Sequence, residues 1–456
     1  MEKKKDRANF SGKIGYILAT AGASVGLGNI WRFPYLAAKY GGGIFILVYI
    51  ILSLTFGYTM IISETAIGRI SRRSPAGAFP YFSKSAGSRI GGWLNALVPI
   101  LVVSYYCVIG GWVLRYFVEY LIGHDVQAAE SGNFSAFIST AGKPELYFII
   151  FAAMTTLVVA LGVNAGVERI SKIMMPLLLL LAVGISCFTI SQPGASQGVK
   201  YALIPDFSGF SIKTIIAAME QMFYSLSIAM GILVTFGSYM KKEVDVERST
   251  LQVILVDSGV AILAVLMIIP GIFAFSGESA AETLQAGPSL LFISLPEVFV
   301  NMPGGRLVGT LFFLMVLFAA LTSAIALMES AVSTIEDELR LSRKKSSMVI
   351  AAIILILGSL ASLGYNVLAE TEVFSMQFLD FFDFLANALL MPIGAFATCL
   401  LIDRSVKLSR VTEEITHSSA FRGRKIYEIT VRYVAPVFLV VILVCSVLTT
   451  LGILHM

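Results

Sequence analysis

Apolar residues fill the chain in long, nearly uninterrupted runs, and polar residues gather in the short stretches between them. A helix needs about 20 apolar residues to cross a bilayer, within a range of about 17–25. Runs of this kind fall at about 14–36, 44–68, 92–122, 146–163, 168–190, 212–239, 251–275, 307–335, 348–364, 376–402 and 430–454. The pattern predicts 11 transmembrane helices. Strands of an outer-membrane barrel alternate apolar and polar residues instead. The expected fold class is therefore an all-α polytopic membrane protein, with residues 1–456 as a single transmembrane domain.

Basic residues between the runs orient them, because cytoplasmic connections carry an excess of Lys and Arg. With the N-terminus inside, Lys3, Lys4, Lys5, Arg7, Lys13, Arg69, Arg72, Arg73, Lys84, Arg89, Lys241, Lys242, Arg343, Lys344, Lys345 and the 404–432 cluster all fall on the cytoplasmic side. Lys143, Lys200 and Arg306 fall outside. The basic start, MEKKKDRANF, lacks a small-residue cleavage site and reads as a cytoplasmic tail. The odd span count places His455 and Met456 outside. The segment 277–305 is rich in Gly, Pro and Ser and could fold as a re-entrant cap.

Composition narrows the function classes. Of 456 residues, 57% are hydrophobic and 14% are charged, against about 25% charged in soluble domains. This excludes an ordinary soluble protein and a disordered one. A net charge of +4 gives no reason to expect nucleic acid as a partner; the lipid bilayer is the expected one. Cys107, Cys187, Cys399 and Cys445 sit inside apolar runs, and His124, His417 and His455 lie outside them. No disulfide framework and no Cys/His metal site is expected. The connections leave no room for a second soluble domain, so an enzyme is not expected. Nothing in the residues speaks to oligomeric state.

Two of the runs carry helix-breaking chemistry. The first contains Ala21-Gly22-Ala23-Ser24-Val25-Gly26-Leu27-Gly28-Asn29. Each Gly costs about 1 kcal/mol of helix stability relative to Ala. Small residues can serve close helix packing. They can also mark an unwound segment, whose free carbonyls and amides are tolerated at that depth only where they line a polar site. The sixth run holds Tyr224-Ser225-Leu226-Ser227 before Ala229-Met230-Gly231. Ser in a membrane helix often bonds back to the preceding turn. Interruptions at matching places in two five-span halves point instead to a secondary transporter built from inverted repeats.

Buried carboxylates and hydroxyls fit that reading. Glu64, Asp257, Glu329, Asp380 and Asp383 lie within apolar runs, where a carboxylate is costly unless paired or wet. A helix-to-helix hydrogen bond suits Glu64 and Glu329, and a cation-linked role suits Asp257. Thr322 and Ser323 place two adjacent hydroxyls in another apolar run. Pro176 removes one backbone hydrogen bond from the fifth run and predicts a kink.

The strings GLGNIWRFPYLAAKYGGG, SLSIAMG, GPSLLFISLPEVF and ALTSAIALMES resemble the neurotransmitter:sodium symporter family, most closely its bacterial amino-acid branch. The resemblance runs from about Arg7 through the tenth span. It implies a LeuT-like 5+5 inverted repeat with unwound helices 1 and 6: repeat one at about 12–190, repeat two at about 211–402, and an extra helix at about 430–454. It further implies sodium-coupled symport of neutral hydrophobic amino acids, aliphatic and aromatic, by alternating access in the inner (plasma) membrane. The alternatives are a symporter of another small solute with the same fold, or a non-transporting amino-acid sensor.

The resemblance also implies two Na⁺ sites. The first takes the carbonyl of Ser24 and the side chains of Asn29, Ser225 and Asp257. The second takes the carbonyls of Gly22, Val25 and Ala319 with the hydroxyls of Thr322 and Ser323. The substrate carboxylate would meet the amides of Leu27 and Gly28, the hydroxyl of Tyr106 and the first sodium ion. Its ammonium would meet carbonyls of Ser24, Tyr224, Ser225 and Ser227. Val102, Tyr106, Tyr224, Met230, Ser323 and Leu327 would surround its side chain. Gly26 stands where monoamine members carry an Asp. Arg32 with Asp383 would close the outer side, near Gln221, with Asp380 as the alternative partner. Arg7 with Asp337, braced by Ser238 and Tyr239, would close the inner side. Gly166 and Pro176 resemble a spacing linked to local unwinding of the fifth span. Chloride-dependent relatives use positions matching Tyr49, Gln221, Ser225, Asp257 and Ala261. Here Asp257 supplies a fixed negative charge, so chloride independence is expected.

Overall fold

The protein is described by a computed structural model covering residues 7–275 and 290–450. The first span is two helices, α1 (Lys13–Ser24) and α2 (Gly28–Lys39), which meet at a 55° bend. Four long helices follow: α3 (Gly43–Ser71), α4 (Ala86–Ile122), α5 (Lys143–Ala160) and α6 (Val163–Ile190). The sixth span is again two helices, α7 (Ile212–Ser225) and α8 (Ile232–Tyr239), separated by an unwound stretch at 226–231. The chain continues through α9 (Val246–Phe275), α10 (Gly305–Leu339), α11 (Arg343–Leu363), α12 (Phe378–Val406) and α13 (Arg424–Thr449).

Among the described residues, nine helices are individually long and apolar enough to cross a membrane, and the bent pair α1–α2 makes a tenth. The divided pair α7–α8 occupies the place of the expected sixth span. Part of the expected cap at 277–305, including Gly287, Pro288 and Ser289, lies outside the described residues, as do His455 and Met456. The described part of that segment forms a short apolar helix, Leu290–Val300. Helix α6 runs on through Pro176, and its first turn, Val163–Glu168, is wound more widely than the rest.

Helices dominate because backbone N–H and C=O groups in lipid must pair within their own segment. Helix α4 has 37 residues, so at 1.5 Å per residue it is about 55 Å long, well beyond a hydrocarbon core of about 30 Å. It packs along α10, the other long helix, and α1 lies against α6, α9 and α10. Helix α8 packs closely on α3. Gly237 is what allows that approach: a Cβ there would sit 2.9 Å from the Thr65 Cα. Leu157, Leu180, Leu255, Ile356 and Val437 point outward and are exposed, as a lipid-facing surface requires.

Candidate functional site

The site is built where the two divided spans face each other. At Val25 the backbone turns extended (φ −75°, ψ 100°) and α1 ends. The freed Gly26 N–H donates to Asn29 Oδ1 (3.1 Å), and the Leu27 N–H donates to the Tyr106 hydroxyl on α4 (3.1 Å). The carbonyls of Gly22, Ala23 and Val25 converge on Ser323 Oγ of α10, at 3.2, 3.2 and 3.1 Å.

The second break holds unusual backbone. Ser227 and Ala229 have φ of 55° and 58°, a left-handed conformation that costs a residue with a Cβ about 1–2 kcal/mol. Two contacts offset that cost. Glu64 Oε1 accepts from the Ala229 N–H (2.8 Å), and Ser227 Oγ donates to the Ala23 carbonyl (3.2 Å). The Glu64 bond therefore runs to unwound backbone, not to a second regular helix. Glu329 is also tied differently from a simple helix-to-helix bond. It forms an ion pair with Arg343 and accepts from the Tyr239 hydroxyl (2.8 Å).

Of the first expected sodium site, Asn29 and Ser225 lie against Asp257 of α9, which is fully buried, and Ser24 lines a cavity together with Asn29 and Ser225. Asp257 Oδ1 accepts from Asn29 Nδ2 (2.8 Å) and Ser225 Oγ (2.9 Å), and its Oδ2 accepts from the Tyr49 hydroxyl (2.6 Å). Gln221 donates to the Gly28 carbonyl (2.9 Å), and its own buried Oε1 has no partner. The second expected set is also gathered. Besides the carbonyls on Ser323, Thr322 Oγ1 lies 3.2 Å from the Ala319 carbonyl. Among the described residues, no group of three or more His, Cys, Asp or Glu could hold a metal ion. These oxygens come mostly from carbonyls and hydroxyls, which suit a hard cation and not a soft transition metal.

Between the two sets lies a small, tightly walled cavity of about 20 Å³. All twelve expected substrate-contact residues line it: Ser24, Gly26, Leu27, Gly28, Val102, Tyr106, Tyr224, Ser225, Ser227, Met230, Ser323 and Leu327. Asn29 lines it as well, as do Ala23 and Ile232, which sequence reasoning missed. Ala23 and Ile232 flank the two breaks, so their proximity to those breaks was the available signal. No charged side chain lines the cavity. Leu27, Gly28, Tyr106 and Tyr224 separate it from a wide vestibule of about 610 Å³.

The two expected gates stand differently. On the side of the N-terminal segment, Arg7 donates to both Asp337 oxygens (2.6 Å each), to Ser238 Oγ (2.9 Å) and to Ser333 Oγ (2.7 Å). The Tyr239 ring lies 5.1 Å from its guanidinium, and the Tyr239 carbonyl accepts from the Phe10 N–H (3.0 Å). Burial works to lower the Arg7 pKa, but Tyr239 and Asp337 outweigh it and hold it above the usual arginine value.

At the vestibule, the expected Arg32–Asp383 pair is not formed. Asp383 accepts from Tyr105 (2.9 Å) and Asn387 (2.5 Å), while Arg32 lies 3.8 Å from Glu220 Oε2. The open vestibule between α2 and α12 is the physical reason the two sides have not met. Asp380 lines the vestibule without pairing to Arg32. Glu220, unmarked in the sequence reading, is the residue Arg32 faces.

A profile of the sodium:neurotransmitter symporter family matches residues 7–127 and 128–453. The chain is similar to an uncharacterised sodium-dependent transporter, YhdH, of Bacillus subtilis, at 34% identity over 440 residues. That match covers 95% of this chain and 96% of the relative. It is also similar to the human sodium- and chloride-dependent GABA transporter 2, at 26% identity over 441 residues, covering 84% and 71% respectively. Among solved structures, the crystal structure of MhsT in complex with L-phenylalanine superposes with a TM-score of 0.87 at 31% identity. It covers 97% of this chain and 100% of that one.

Proposed function

The chain belongs to the sodium:neurotransmitter symporter family, and from that premise we propose that it carries neutral hydrophobic amino acids, aliphatic and aromatic, into the cell together with two sodium ions and without chloride. The observation that carries the substrate class is the cavity lining. A charged substrate side chain would be desolvated there without a partner. Gly26 matters for the same reason. A Cβ at this position would lie 2.7 Å from Ser323 Oγ and 2.9 Å from the Tyr106 hydroxyl, so no larger side chain fits without displacing them. The substrate's own carboxylate would lie beside Gly26 and not in that space, held by the amides of Leu27 and Gly28 and by the Tyr106 hydroxyl. Met230 is unbranched and adaptable, which suits side chains of different shape.

In this reading one ion sits between Asp257, Asn29, Ser225 and the Ser24 carbonyl. The other sits among the carbonyls of Gly22, Val25 and Ala319 and the hydroxyls of Thr322 and Ser323. The N-terminal latch faces the cytoplasm and the vestibule faces outside. Residues 1–456 act as one transport domain, with repeat one at about 12–190, repeat two at about 211–402 and α13 added to them. Exchange of labelled amino acids in proteoliposomes, with and without a Na⁺ gradient, tests the whole reading. Leu, Phe and Trp should compete for uptake and Glu should not. Uptake that ignores the Na⁺ gradient, or displacement by Glu but not by Leu, Phe and Trp, refutes it.

A further inference from the structure

Arg32 has carboxylates available on two sides of the vestibule. On α7 it faces Glu220 at 3.8 Å, with its guanidinium 5.7 Å from the Tyr224 ring centre. Glu220 and Tyr224 are four residues apart, so they share one face of α7. Glu220 is itself held in place: its Oε1 accepts from Ser446 of α13 at 3.0 Å. Across the vestibule, Asp383 of α12 is occupied by Tyr105 and Asn387.

We propose that Glu220 is a positioning residue of the outer gate, which holds Arg32 on α7 while the vestibule is open and releases it to Asp383 on closure. Closing then exchanges one ion pair for another, and the guanidinium is not left without a carboxylate in either state. The inference rests on one part of the transporter reading above, that the vestibule closes.

The pair is partly exposed, so it shifts the open–closed balance only modestly, by about two- to fivefold. The test uses purified full-length protein carrying Cys187→Ser, Cys445→Ser and the vestibule reporter Met376→Cys, labelled with a thiol reagent in Na⁺ without amino acid. Glu220→Gln should slow labelling about two- to fivefold. Asp383→Asn, which weakens the closed state, should not slow it. In an Arg32→Gln background, Glu220→Gln should have no further effect. Labelling of Glu220→Gln at the parent rate, or an equal slowing with and without Arg32, overturns the proposal. The second result would show that Glu220 acts on packing alone. Size-exclusion profiles confirm that each variant is folded. The labelling needs no transported solute. A parent protein that takes up no amino acid yet shows the Arg32-dependent slowing would refute the transport reading and leave this one standing.

Discussion

Asp257 concentrates the chemistry of the site in one side chain. It receives hydrogen bonds from Tyr49, Asn29 and Ser225 and is fully buried. In the function proposed above, a fixed carboxylate close to two sodium ions would offset their mutual repulsion, and a second anion beside it would be repelled in a medium of low dielectric. Uptake should therefore be unchanged when gluconate replaces chloride. Asp257→Asn should either abolish uptake or make it require chloride. Normal uptake by Asp257→Asn in gluconate, or a chloride requirement in the parent protein, would show that the carboxylate does not replace the anion. Asp257 was legible in the sequence because a carboxylate deep in VILVDSGVAIL has to be explained. Glu220 was not, because a single carboxylate within the sixth span carries no local mark of its partner. Its role depends on Arg32, nearly two hundred residues earlier in the chain, and on a vestibule that no local pattern reveals.

The divided helices show what local pattern can and cannot specify at the scale of an element. Gly and Ser clusters marked both breaks, since neither residue supports a helix interior in an otherwise apolar run. The placement of Ser227 and Ala229 in left-handed backbone had no such signal. Ala is the best helix former, and tertiary contacts to Glu64 and Ala23 hold that conformation, with the Ser227 N–H bonded to the Tyr224 carbonyl. Helix limits also moved, as at α4, which begins at Ala86 and not near 92. Its polar N-terminal turns are capped by Ser85, whose side chain accepts from the Ser88 N–H, so the helix continues beyond the apolar run. The first break carries a direct steric prediction. Gly26→Ala inserts a methyl group between the Ser323 and Tyr106 hydroxyls, in a region packed to near-solid density. The overpacking should cost about 1–3 kcal/mol of stability, and substrate affinity should fall by at least about tenfold, or about 1.4 kcal/mol. Scintillation-proximity binding of labelled Leu or Phe measures it, and wild-type affinity in this variant would mean that the cavity is not the substrate site.

At the scale of the molecule, the two ends of the transport path are in opposite states. The vestibule is wide and Arg32 is not joined to Asp383, while the N-terminal segment is clamped to three separate helices. Arg7 binds Asp337 and Ser333 on α10 and Ser238 on α8. The Phe10 ring packs edge-on against Phe236 and Tyr239, again on α8. The Ser11 N–H and hydroxyl both donate to Glu168 at the start of α6, and Asn164 donates to the Asn9 carbonyl (2.9 Å). Alternating access, as proposed above, would require these contacts to break together, because between them they tie the segment leading into α1 to three helices. Arg7 is the contact with the most bonds, and Asp337 keeps a bond from the Ser74 N–H (2.7 Å) when Arg7 is lost. Breaking a buried pair costs about 3–5 kcal/mol, but here both partners retain some exposure, which reduces the expected cost to about 1–2 kcal/mol. Arg7→Ala should therefore raise the opening of the N-terminal latch by about tenfold. Amide hydrogen exchange in Na⁺ reads this at the Phe10 and Ser11 N–H groups, which are bonded to the Tyr239 carbonyl and to Glu168. Both should exchange about tenfold faster in the variant. Amides in the middle of α4 and α10 should keep their protection, since their bonds break only when the bundle itself comes apart. If Phe10 and Ser11 exchange at the parent rate, Arg7 is not what holds the inner side shut, and Glu168 with the Phe10 cluster must carry the latch without it.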